Sequence, residues 1–75
     1  MERYKNLGGN SSVVAYEIGP GEITVKFSDG WHYLYSTQST SPLNIQEMQR
    51  LATQGLGLNS FIGRVVRKGF VRKWR

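Results

Sequence analysis

Residues 22–35 read EITVKFSDGWHYLY. Glu22 to Ser28 alternates, with Ile23, Val25 and Phe27 on one side and Glu22, Thr24 and Lys26 on the other, which is the period of a half-buried strand. Asp29-Gly30 is a hairpin signal, and Trp31 to Tyr35 forms the returning strand, rich in aromatic β-formers. Two registers compete. A two-residue turn, Asp29-Gly30, sets Phe27 opposite His32 and Val25 opposite Leu34, and leaves Trp31, Tyr33 and Tyr35 beside Lys26 as a stacking surface. A three-residue loop, Ser28-Asp29-Gly30, with Gly30 left-handed in a bulge, sets Phe27 opposite Trp31 and Val25 opposite Tyr33. All the large groups then share one face. A chain of 75 residues buries only about 60–65% of its unfolded surface. It needs that burial, so the three-residue form is expected. The aromatic row is read as core, with Trp31 the most exposed of the three.

Outward from this hairpin, Ser12 to Ile18 (SVVAYEI) is a preceding strand, joined to it by the turn residues Gly19-Pro20-Gly21. On the other side, Ser41-Pro42 starts a helix, with Ser as N-cap and Pro at the first position, and Asn44 with Glu47 offers a second cap box. Ile45, Met48, Leu51 and Ala52 recur at helical spacing and face the sheet. Gly55 and Gly57 break the chain. A second helix opens near Gly57 or Asn59 and carries the stripe Leu58, Phe61, Ile62, Val65 and Val66. Gly69 is its C′ residue, after Arg67 and Lys68, which suit the negative end of the helix dipole. The expected architecture is α+β: a three-stranded antiparallel meander followed by two α-helices packed on one face, in the order βββαα. Residues 1–10 read as a flexible N-terminal arm, with Tyr4 and Leu7 tucked on the core. Residues 11–69 form a single domain, and residues 70–75 a basic, aromatic C-terminal tail.

Composition excludes several function classes. The chain has no cysteine, so disulfides, zinc–thiolate sites and thiol nucleophiles are ruled out. His32 is the single histidine, without the further ligands a metal site needs, and is read as a bystander. Asp29 is read as capping backbone amides in its turn. No carboxylate pair, phosphate-binding loop or Ser-His-Asp arrangement supports an enzyme; neither a catalytic residue, a metal nor a cofactor is expected. No apolar run reaches the length of a membrane span, and the N-terminus has no secretory apolar region. Cytoplasmic residence and no membrane partner are the expectations, and the oligomeric state is left open.

Charge is the feature with functional weight. The net charge is +5, unevenly spread. Residues 1–47 set five acids against Arg3, Lys5 and Lys26, leaving −2; residues 48–75 hold seven bases and no acid, giving +7. Such asymmetry points to a polyanionic or acidic partner. The bases concentrate in RVVRKGFVRKWR, residues 64–75. Arg64, Arg67, Lys68, Arg72, Lys73 and Arg75 are candidate phosphate contacts, with Trp74 placed to stack on an unpaired base. In an extended tail, Phe70, Arg72 and Trp74 point one way and Val71 and Lys73 the other. The bland alternative packs Phe70, Val71 and Trp74 on the sheet and leaves the bases solvated. Lys26 and Arg50 are candidates to extend the basic surface.

The ordered motifs resemble the KTSC domain, a short module named for its occurrence at the C-terminus of certain lysyl-tRNA synthetases and also found alone. Ser11-Ser12 opens the first strand. Phe27-Ser28-Asp29-Gly30 with Tyr33 and Tyr35 matches F-x-D-G-x-x-Y-x-Y. Pro42, Ile45, Met48 and Ala52 match its first helix, Thr53-Gln54-Gly55 its S/T-x-G turn, and Asn59 with Ile62 its N-x-x-I. The likeness covers about residues 10–63. It departs from the family where Arg64-Val65-Val66-Arg67-Lys68 precedes Phe70 in place of an early tyrosine. The resemblance implies nucleic-acid binding, with RNA preferred. The expected function is thus a small non-enzymatic nucleic-acid-binding module; the alternative is a protein-interaction module that docks an acidic partner protein.

Overall fold

The structure, a computed structural model, describes residues 1–75. The hairpin adopts the three-residue loop. Val25 lies opposite Tyr33 and Lys26 opposite His32, the Phe27 amide donates to the Trp31 carbonyl at 2.9 Å, and Gly30 takes φ of 91°. Asp29 Oδ1 accepts from the Trp31 amide at 3.0 Å, capping the turn.

The expected three-stranded meander is corrected to a five-stranded antiparallel sheet, although the α+β class holds. Strands β2 (Val13–Gly19), β3 (Glu22–Phe27) and β4 (His32–Ser36) form the centre. Strand β1 (Glu2–Arg3) pairs with β2 through Glu2–Tyr16 and Arg3–Ala15. Strand β5 (Arg72–Trp74) pairs with β4 through Leu34–Arg72, Tyr33–Lys73 and His32–Trp74. The physical reason is that a three-stranded sheet leaves the outer N–H and C=O groups of β2 and β4 without partners. Both ends of the chain supply them. The added strands are short and charged, as edge strands tend to be.

One face of this sheet is covered. Val13, Tyr16, Ile23, Val25 and Tyr35 are buried there with Tyr4. Helix α1 (Pro42–Gln54) lays Ile45, Met48 and Ala52 on them. Its start is as expected: Ser41 is the N-cap, with Oγ accepting from the Asn44 amide at 3.2 Å, and Pro42 follows. Its end is Gly55 in the left-handed region. Helix α2 (Leu58–Phe61) runs straight into a π-helical stretch, Ile62–Val66. Gly57, which precedes α2, has no side chain to cap it; the hydroxyl of buried Tyr4 accepts from the Leu58 amide at 3.2 Å instead.

The π stretch alters the expected stripe. Extra residues in the turn rotate Val66 onto the covered face and Val65 off it, leaving them 6% and 47% exposed respectively. The helix also stops earlier than expected. Arg67, not Gly69, takes the positive φ, at 46° with ψ of −114°. Phe70 then folds back against Tyr33 and Tyr35 on the covered face, so it does not share a side with Trp74, which stacks on His32.

Two outcomes follow from this architecture. Gly30→Ala forces an L side chain into the left-handed region and is expected to cost about 1–2 kcal/mol, read as a lower urea midpoint. Removal of residues 70–75 strips β5 from β4 and Phe70 from the core, and is expected to lower the thermal midpoint even in the absence of any ligand. An unchanged midpoint would show that β5 contributes nothing to the fold.

Candidate functional site

The helices are too short to cover the whole dry face. Near the 28–30 loop, Phe27 and Tyr33 remain half-buried, and a cleft of about 600 Å³ opens between them and the end of the π stretch. Its floor is aromatic. Phe27 and Tyr33 meet edge to face with centroids 5.2 Å apart, and Phe70 meets Tyr33 likewise at 5.0 Å. Its wall is Asn59, Ile62 and Gly63, with Ser12, Ser28 and Asp29 on the hairpin side. Its rim carries Arg67, Lys68 and Lys73. Asp29 is the single acid of the lining.

The rim is positioned by the core. The buried Tyr35 hydroxyl donates to the Arg67 carbonyl at 3.2 Å, and the Arg67 amide donates to the Ile62 carbonyl at 2.7 Å. Together they hold a backbone conformation that is unfavourable for arginine, by about 1–3 kcal/mol. Such strained residues and π-helical turns recur at functional sites. Burial, helped by neighbouring Tyr33, pushes the Tyr35 phenol up to about 12, so it stays a neutral donor across the ordinary pH range.

The seven residues singled out from the sequence do not form one patch. Strand alternation separates them. Lys73 and Arg75 sit on the covered side, with Lys73 Nζ and the Arg75 guanidinium each 5.1 Å from the Trp31 ring centroid. Arg75 also donates to the Asp29 carbonyl at 3.4 Å. Arg67 and Lys68 join Lys73 at the cleft. Arg72 and Trp74 lie on the other, open face, where the Trp74 ring stacks on His32 at 5.4 Å and 9° and the Arg72 guanidinium sits 4.9 Å from the Trp74 centroid. Arg64 is exposed on the helix and donates to the Ser60 carbonyl at 3.4 Å.

Electrostatics favour an anion at the rim. The molecule has two ion pairs, the N-terminal amine with Glu17 and Arg50 with Glu47, and neither involves residues 64–75. The Arg50 guanidinium, hydrogen-bonded to Glu47, holds that carboxyl below its usual range, so Arg50 is occupied. Lys26 lies on the open face, opposite His32.

That Phe27, Tyr33, Phe70, Asn59 and Gly63 line one cleft was not legible from the sequence. Phe27 and Tyr33 read as core, and nothing local says that Phe70 returns to meet them. A glycine inside a striped helix, Gly63, is a further local signal that could have been followed. No family model, curated protein or solved structure matches the chain.

Tyr35→Phe tests the support of the rim. Below pH 10 the variant lacks one hydrogen bond and is expected to be about 1 kcal/mol less stable than the parent. The parent's phenol is raised in the fold, so its contribution is whole below pH 10 and is lost as pH rises toward 12. The stability difference should therefore shrink and reverse between pH 10 and 12, as read by urea titration at each pH. A difference independent of pH would place the hydroxyl in water.

Proposed function

We propose that this chain binds single-stranded nucleic acid through the aromatic-floored cleft and its basic rim. One observation supports the reading: Arg67, Lys68 and Lys73, from two separate segments, line one cleft with Tyr33, Phe27 and Phe70 and have no carboxylate partner. Cations neutralise phosphates and release counterions, while aromatic groups give bases an apolar, stackable surface. An unpaired strand can offer both at once; a duplex hides its base faces. The RNA preference comes from the resemblance to the KTSC domain, which is itself part of the proposal, through that family's association with a tRNA-charging enzyme.

The reading is tested by titrating a labelled mixed-sequence single-stranded RNA at salt concentrations from about 50 to 200 mM. Affinity should fall steeply with salt. Replacing Arg67, Lys68 and Lys73 together by Gln is expected to flatten the log–log slope by about 2, at about 0.7 per phosphate contact. Gln at Arg72 should have a smaller effect, because it lies on the other face. No binding at the lowest salt would sink the proposal, and tighter binding to an acidic polypeptide than to RNA would favour a protein partner.

A further inference from the structure

Gly63 has an unusual place. It lies inside a helical segment, where glycine costs stability relative to alanine. No positive φ requires it, and a Cβ built on it meets nothing within 4 Å. Neither backbone conformation nor close packing against the rest of the fold explains a residue without a side chain. Gly63 is exposed and lines the cleft together with Tyr33 and Phe70. The missing side chain leaves space there. Asn59, one helical turn earlier, lines the same wall.

Resting on the nucleic-acid reading of this cleft, we infer that it is a seat for one nucleotide, with the base inserted between the Gly63 wall and the Tyr33–Phe70 floor and the phosphate on Arg67, Lys68 and Lys73. The volume, about 600 Å³, falls in the range of small-ligand sites, about 300–1,000 Å³. The lining is divided as such a ligand requires: apolar rings for the base, cations for the phosphate, and the polar groups of Asn59, Ser28 and Asp29 for base edges. The Asp29 carboxylate repels a phosphate and accepts from a base amino group, which favours one orientation of the ligand over its reverse. Recognition is then of a single unpaired nucleotide, within a strand or at its end, and a free nucleoside monophosphate occupies the same seat.

Adenosine 5′-monophosphate is the probe, with ribose 5-phosphate as the control that has the phosphate but no base. Adenosine monophosphate is expected to displace labelled RNA from the parent protein, and ribose 5-phosphate at matched ionic strength to compete at least about fivefold less well, since stacking of one base is worth that much or more. Gly63→Leu should fill the cleft, lower nucleotide affinity by about tenfold or more, and leave the urea midpoint at or above that of the parent. Amide chemical shifts in the parent supply a second reading that needs no variant. They should move at Gly63, Asn59 and Lys68 when the nucleotide is added, and not at His32 and Trp74. RNA binding without displacement by the nucleotide, equal competition by ribose 5-phosphate, or parent-like affinity in a folded Gly63→Leu would overturn the seat and leave the RNA reading standing. Nucleotide binding without RNA binding would do the reverse, and binding of neither would end both.

Discussion

The pairing of Val25 with Tyr33 across the Ser28–Gly30 loop decides which side of the sheet is dry. Side chains alternate along a strand, so a slip of one residue would send Tyr33 and Tyr35 to the face that carries Lys26 and Thr24. In the register observed, Ile23, Val25 and Tyr35 are almost fully buried, and the two helical segments have a continuous apolar surface to cover. The same choice extends to β5. Because Tyr33 faces Lys73, the lysine is carried to the dry side, where it can reach only the margin left uncovered by the helices.

That margin is the cleft. Helix α1 packs on β3 and β4, and toward the Ser28–Gly30 loop Phe27, Trp31 and Tyr33 stay only half-buried. Two partial covers are present there. Phe70 packs on Tyr33, and Lys73 and Arg75 approach Trp31, with their aliphatic stems available to shield the ring. A small domain thus keeps an apolar hollow beside unpaired cations, an arrangement that costs core burial where burial is scarce.

The parts of this arrangement differ in how far local sequence reveals them. The hairpin and the start of α1 rest on short-range chemistry, Asp29-Gly30 for the turn and Ser41-Pro42 for the cap, whereas the loop length followed from the chain's need to bury its aromatic row. The outer strands do not. Glu2–Arg3 is too short to show a period, and Arg72-Lys73-Trp74 shows charge where a strand signal would need apolar alternation. Both exist because an existing edge needs partners, which is a property of the assembled sheet. Tyr4 has the same character, since its hydroxyl serves a helix start 54 residues away. The π stretch escapes a reading by helical period, because its period is what changes; Val66 stays in the buried stripe and Val65 leaves it as a result. The candidate cations were visible as a group, and alternation in an extended tail already set Arg72 and Trp74 apart from Lys73; what spacing alone could not give is that the tail pairs with β4 and that Phe70 turns to the covered face.

That division limits what the basic tail can do as a unit. In a helix, Arg64, Lys68, Arg72 and Arg75 would share one surface. In the structure, Arg67 ends the helix through a strained turn and Arg72–Trp74 continues as a strand, which places neighbouring charges on opposite sides of the sheet. Under the proposed reading, a strand of nucleic acid in the cleft would meet Arg67, Lys68 and Lys73, while Arg72, on the other face, would act on it only through solvent. Screening over about 8–10 Å makes that contribution small at physiological ionic strength. The chemistry of the cleft is therefore set by Arg67, Lys68 and Lys73 with the rings of Phe27, Tyr33, Tyr35 and Phe70, and the total charge of the chain would bear on the approach of a polyanion more than on the contacts it makes.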